Sequence, residues 1–148
     1  MAKKAERKIK VDMTRNNASN KVERVKALME DTAKMQKRRD FINKFVLCEI
    51  ACKHIVEAYK RHQKDLKPGE YITLDMRHIP AAMTLYRYSI PKHVLSDVFG
   101  SGKKRGQKSA KKLRDGIMHA MNDDDLNEVI EREEFLYGRM DEFLSYFQ

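Results

Sequence analysis

The sequence contains no tryptophan, only two cysteines and three prolines, and no long apolar run. Its longest apolar stretch, residues 45–48, is far too short to span a bilayer, so we expect no membrane segment. The first ten residues carry charge without an apolar stretch, which predicts no secretion signal. Two cysteines without such a signal favour the reducing cytoplasm and exclude a disulfide scaffold.

What is abundant is charge, which is unevenly placed along the 148 residues. Hydrophobic residues make up 41% and charged residues 36%, with a formal net charge of +9. Residues 1–40 carry a net +7 and residues 101–116 a net +6, whereas residues 117–148 carry −7. Basic blocks of this kind are typical of a protein that binds a polyanion, of which nucleic acid is the first candidate. A lysine-rich solvated surface is the alternative.

The positions of the helix-breaking residues, proline and glycine, predict an all-α, single-domain bundle of four to six helices. All three prolines and four of the six glycines lie between residues 68 and 106, so long helices are expected on either side. Asn20 predicts a helix start, and residues 20–66 form either one helix or two. Short helices are expected at 80–88 and 91–99, another at about 110–121 after Ser109, and a long one after Asp125. Residues 1–19 are a separate basic arm, for which disorder is an open alternative, and 20–148 are the helical domain.

Two other candidate sites are weaker. Residues 100–104 (Gly-Ser-Gly-Lys-Lys) lack the spacing of a phosphate-binding loop, and no buried strand precedes them. Cys48 and Cys52 share a helix face on which a metal site is geometrically possible. That face also carries Phe45 and Ile55, which favours core packing instead. We therefore expect no metal and no cofactor.

The segment with the most chemical content is Leu113–Ala120. It places Arg114, a polar residue at 115 and His119 within one apolar helical frame. An arginine followed by a polar residue and, five positions after the arginine, by a histidine resembles the Arg-x4–6-His motif of the HEPN superfamily of small all-α domains. Gly116 lies inside this helix, which predicts either a close helix approach or a kink.

The resemblance implies a metal-independent endoribonuclease of the toxin or phage-defence type. Arg114 and His119 would be catalytic, with Asp115 supporting them, at a cleft shared across a homodimer. An antitoxin protein such as a nucleotidyltransferase is an implied partner. Other members of the superfamily are inactive, which leaves a non-catalytic RNA-binding or protein-interaction module as the alternative.

The chemistry of these side chains fits RNA cleavage. Histidine can remove the 2′-hydroxyl proton or protonate the leaving 5′-oxygen near neutral pH, and arginine can stabilise charge on the phosphorane. On an ideal helix, however, five residues leave Arg114 and His119 about 140° apart, which is one reason to expect a homodimer. The residues expected to attract RNA are Lys103, Lys104, Arg105, Lys108, Lys111 and Lys112. An unrelated DNA-binding protein that uses residues 109–121 as its recognition helix is a third alternative.

Overall fold

The computed structural model describes residues 2–63, 69, 78–100, 103–104 and 106–148. The predicted all-α class is confirmed, although the described residues form seven helices rather than four to six. They divide into two compact units, Met1–Lys37 and Arg38–Gln148. In chain order the helices are α1 (Ala2–Glu30), α2 (Thr32–His62), α3 (Ile79–Leu85), α4 (Lys92–Phe99), α5 (Ala110–Ala120), α6 (Asp123–Glu131) and α7 (Glu133–Ser145).

The first unit contains α1 and the first turns of α2. Helix α1 runs without interruption through Asn20, so Asn20 does not start a helix, and residues 2–19 are helical. The break falls instead at Asp31, whose Oδ1 accepts a hydrogen bond of 3.1 Å from the backbone N–H of Lys34. A side-chain cap of this kind begins α2, and the residues between 20 and 62 therefore belong to two helices.

The core of the second unit is built on the apolar face of α2. The ring of Phe45 lies 5.6 Å from that of Phe99 on α4, and Phe99 lies 5.3 Å from Phe143 on α7. Cys48 and Cys52 are fully buried on the same face of α2. These contacts join α2, α4 and α7 through large side chains, and α5 packs beside them through Leu113 and Ile117.

The long C-terminal helix expected from the sequence is two helices, because the chain breaks at Arg132. The start of α6 also differs from the prediction, since Asn122 rather than Asp125 is its cap. Asn122 Oδ1 accepts from the backbone N–H of Asp125 at 3.2 Å. Asp125 is instead buried, with 3% of its surface exposed, so its side chain is used for packing between helices.

The basic segment between α4 and α5 contains a short antiparallel hairpin. Strand β1 (Lys103–Lys104) pairs with β2 (Gln107–Lys108), and Gly106 between them has a φ of +76° that suits glycine. Residues 70–73 (Glu-Tyr-Ile-Thr), which the sequence makes a weak strand candidate, lie outside the described residues. Within the described part of the chain, no helix has the length and apolar character needed to cross a membrane.

Candidate functional site

The candidate site is carried by α5, whose ends are set by local contacts. Ser109 begins the helix, since its Oγ accepts from the backbone N–H of Lys112 at 3.2 Å. The same hydroxyl donates to the carbonyl of Gly100 at 2.5 Å and so joins the end of α4 to the start of α5. Met121, in a left-handed conformation with φ of 45°, ends the helix. The predicted helix at about 110–121 is thus observed as Ala110–Ala120.

Arg114 is held in one place by α2 and by its neighbour in sequence. Its Nη2 lies 2.8 Å from Glu49 Oε2, and its Nε donates to Asp115 Oδ1 at 2.9 Å. The guanidinium also stacks 4.6 Å above the ring of Phe45. The side chains of Arg114 and Glu49 are 18% and 17% exposed, so this is a mostly desolvated ion pair. Two of the five N–H donors of the guanidinium are used in these bonds.

Asp115 positions Arg114 of its own chain. Its Oδ1 accepts from Arg114 and its Oδ2 lies 3.2 Å from Lys111 Nζ, one turn earlier on the same helix. The carboxylate therefore fixes the long arginine side chain from the solvent side, while Glu49 fixes it from α2. Glu49 and Phe45 were not identified from the sequence as partners of Arg114, although both lie on or beside the apolar face of α2.

His119 lies in the last turn of α5 and is exposed. Helix α5 stays regular to Ala120, so neither fraying at His119 nor a kink at Gly116 brings the imidazole to the Arg114 face. Asp115 lies one turn before His119 and therefore falls between the two side chains around the helix axis. Arg114 and His119 are thus close along one helix but do not meet within a single chain.

A further arginine lies beside the same part of α5. Arg38 of α2 places its Nη2 3.9 Å from the Sδ of Met118, the residue that precedes His119. The buried Nε of Arg38 has no hydrogen-bond partner among the described residues. A sulfur atom is a weak acceptor, so this contact contributes little to holding the guanidinium in place.

The basic residues expected to attract RNA fall into three groups. Lys108 is ion-paired with buried Asp125 (Nζ to Oδ1, 2.5 Å) and so serves the fold, whereas Lys111 makes a partly exposed pair with Asp115 on the same helix. Lys112 is half-buried in the first turn of α5. Lys103 and Lys104 form β1, and their side chains, like the whole of Arg105, lie outside the described residues.

A charged network fixes the hairpin to α6. The backbone N–H of Lys108 donates to Glu128 Oε2 at 3.1 Å, and Arg132 Nη1 donates to the carbonyl of Lys108 at 2.8 Å. Arg132 also lies 2.6 Å from Glu128 Oε2. Arg132 is also the residue at which α6 ends. The side chain that holds the hairpin therefore lies at the break between α6 and α7.

The cysteines are placed as core residues. Burial raises the pKa of both Cys48 and Cys52 to about 12, which keeps the thiols neutral. His54 is exposed on a different face of α2. No group of three or more histidine, cysteine or acidic side chains within the described ranges could hold a metal ion.

Comparison with known proteins identifies no relative. No family model matches the chain, and neither a curated protein nor a solved structure matches it.

Proposed function

We propose that this protein is a metal-independent endoribonuclease of HEPN type that acts in the cytoplasm as a toxin or defence enzyme. The observation that supports it best is the fixed guanidinium of Arg114, held by Glu49, Asp115 and Phe45 on the helix that carries an exposed His119. An imidazole is suited to the two proton transfers that RNA cleavage without metal requires, and a preorganised cation stabilises the charge on the phosphorane.

Each side chain has a role in the proposed reaction. The 2′-oxygen attacks phosphorus, the bond to the 5′-oxygen breaks, and the products are a 2′,3′-cyclic phosphate and a 5′-hydroxyl. His119 removes the 2′-hydroxyl proton and delivers a proton to the leaving 5′-oxygen, so the proton lost by one oxygen is balanced by the proton gained by the other. Arg114 stabilises the negative charge that develops on the phosphorane oxygens. Asp115 is a positioning residue, and Arg38, which contacts Met118, supplies a second cation near this end of α5.

We place the site across a homodimer. Within one chain Arg114 and His119 lie about 140° apart around α5, so one of them would be supplied by a second copy. Exposed apolar side chains border this region. Met118 on α5 is 47% exposed, and on α2 Val46 is 37% and Ile50 60% exposed. Contact with a second copy would cover them.

A non-catalytic HEPN-like module that binds RNA or protein is the second candidate. The observation that favours it is the same ion pair of Arg114 with Glu49. A desolvated pair that joins α5 to α2 and stacks on Phe45 is what a purely structural arginine would make. In that case His119 would be an ordinary surface histidine.

Cleavage of labelled RNA in EDTA separates the two candidates. We expect chelator-resistant cleavage that falls by about 10²-fold or more in His119→Ala and in Arg114→Lys, since general acid–base catalysis contributes about 10² to 10⁴. The control variant His54→Ala removes an exposed histidine that lies on α2 rather than on α5, and it is expected to leave the rate unchanged. RNA binding without cleavage, unaffected by His119→Ala, would support the second candidate instead.

Mixing the two inactive variants tests the shared cleft. If each site combines His119 of one chain with Arg114 of the other, a heterodimer of His119→Ala and Arg114→Lys has one intact site. Half of the dimers in an equal mixture are heterodimers, so about a quarter of the activity should return. If both residues act within one chain, mixing restores nothing.

The toxin setting has its own test. Expression in a bacterial host is expected to arrest growth, and His119→Ala is expected to relieve the arrest. A nucleotidyltransferase-type antitoxin, if it is the partner, would protect cells that express the wild-type chain.

A further inference from the structure

Helix α1 has no structural role in the core of its own unit. It spans 29 residues, about 43 Å, and none of them is buried. All of its described residues are exposed except Val25 and Leu28, which are half-buried. A helix of this length without a buried face is expected to serve a partner, since polar helices gain little stability by themselves.

The charge of α1 opposes its own helix dipole. It carries nine lysine or arginine residues against four acidic ones, a net +5. Its first turn has no acidic residue but contains Lys3 and Lys4, and its last turn has no basic residue but ends at Glu30. Cations at the amino end of a helix are unfavourable, so a bound polyanion would stabilise α1 as well as pair with its charge.

Eight of the nine cations of α1 fall into two sets on different sides of the helix, and Arg7 lies between the sets. At 100° per residue, four of them lie within a sector of about 60° that also contains Asn17. We call this the basic face: Lys3, Lys10, Lys21 and Arg24. A second set with the same composition lies roughly 140° away and is called the control set: Lys4, Lys8, Arg15 and Lys26. Of the four acidic residues, only Glu6 falls within the sector of the basic face.

We infer that the basic face of α1 binds the major groove of duplex DNA. A helix with its side chains is about 10–12 Å wide, which fits the groove of B-form DNA at about 12 Å, whereas the major groove of A-form RNA is deep and narrow. Lysines and arginines spaced along one side can contact phosphates on both edges of that groove. Asn17, on the same side, and Asn20, at its edge, carry the carboxamide that pairs with the adenine edge.

Other partners fit α1 less well. A membrane surface needs a broad apolar face with aromatic residues, and α1 contains no aromatic residue. Recognition by α5 is disfavoured, because Lys108 and Lys111 beside and within that helix are already ion-paired with Asp125 and Asp115. The cations of α1 are exposed on the helix surface.

The test compares two quadruple variants of the full chain, one for each set, in which every cation is changed to glutamine. Both lose four charges from exposed positions, three lysines and one arginine each. All proteins also carry His119→Ala, so that RNA cannot be cut and the result does not depend on the proposed ribonuclease activity. Binding to a labelled 30-base-pair DNA duplex and to an RNA duplex of the same sequence is measured by fluorescence anisotropy over a range of salt concentrations.

The chain with its cations intact is expected to bind DNA more tightly than RNA. The basic-face variant should bind DNA roughly tenfold more weakly or worse, and the slope of log K against log salt should fall by about 3 to 4, since each phosphate contact contributes about 0.9. The control variant should keep most of the DNA affinity and most of the salt slope. Circular dichroism should show a gain in helix when DNA is added to the intact chain.

Three results would overturn the inference. Equal loss in both variants would mean that α1 attracts polyanions without using one face. Equal or tighter binding of the RNA duplex would assign the surface to RNA. Absence of DNA binding at low salt, in a chain with a native circular dichroism spectrum, would leave α1 without a nucleic-acid partner.

Discussion

At the scale of single residues, the clearest constraint is the contact of Gly116 with Asp125. A Cβ placed on Gly116 would overlap Oδ2 of Asp125 on α6. Asp125 cannot move aside easily, because it is buried and ion-paired with Lys108. The glycine in the motif helix therefore marks a close approach of two helices, one of the two readings that the sequence left open.

Gly116→Ala is expected to destabilise the protein. Overpacking costs about 1–3 kcal/mol, whereas the better helix propensity of alanine returns about 1 kcal/mol at most. Since the clash is with a fixed, charged oxygen, we expect a net loss of about 2 kcal/mol in the free energy of urea unfolding. Gly138→Ala on α7 is the matched control. Nothing lies within 4 Å of its Cβ position, so it should be neutral or stabilising by up to about 1 kcal/mol. Equal effects at the two sites would contradict the contact.

The sequence could offer Arg114, Asp115 and His119 as candidate site residues because their pattern is local, and their catalytic role stays a prediction. It could not identify Glu49, since that partner comes from α2 and reaches Arg114 only through the packing of α5 on Phe45. The structural role of Lys108 could not be predicted from its neighbours in the sequence either. A lysine in a basic segment looks like a phosphate ligand until a buried carboxylate is found 2.5 Å away.

At the scale of elements, Ser109 is the most testable position. Its hydroxyl caps α5 and also bonds to the carbonyl of Gly100 at the end of α4. Ser109→Ala removes both bonds in a buried position, and we expect a loss of about 2 kcal/mol in unfolding free energy, about 1 from the cap and about 1 from the unpaired carbonyl. Ser145→Ala, at an exposed site on α7, should stay within about 0.5 kcal/mol. A loss at Ser109 no larger than at Ser145 would refute this account.

The elements predicted well are those whose ends depend on nearby residues. Ser109, Gly100 and the prolines at 80 and 91 set helix ends through backbone geometry and capping, and the observed α4 and α5 follow the prediction closely, whereas α3 starts as predicted but ends at Leu85 rather than at residue 88. The break at Arg132 was missed because it depends on a carbonyl of Lys108, which folding alone brings near. The continuity of α1 through Asn20 shows that a residue suited to capping need not start a helix.

At the scale of the whole molecule, the buried thiols predict how stability changes with pH. In the folded chain the pKa of Cys48 and of Cys52 is raised from 9.0 to about 12 by burial. Below pH 9 both thiols are neutral in the folded and unfolded states, so their contribution to the free energy of unfolding is fully present. Above pH 9 the unfolded chain loses these protons and the folded chain keeps them, so stability falls as pH rises toward 12.

Urea unfolding at pH 8 and pH 10 should show this loss. The two thiols together should lower the unfolding free energy by about 2–3 kcal/mol over that interval, at about 1.4 kcal/mol per pH unit for each group. The double variant Cys48→Ala/Cys52→Ala starts less stable but lacks this component of the pH dependence. An identical pH dependence in the two proteins would show that the thiols are not the cause.

The hydrogen bonds that hold the hairpin determine how well this part of the chain tolerates changes in sequence and length. Ser109 closes its base onto Gly100, while Lys108 is held by Asp125, Glu128 and Arg132. Lengthening such a closed loop costs only about 0.6 kcal/mol for each doubling of its length. The tip around Gly106 is therefore the place where evolution, or an inserted peptide tag, can alter the surface while the helices that carry Arg114 and His119 stay as they are.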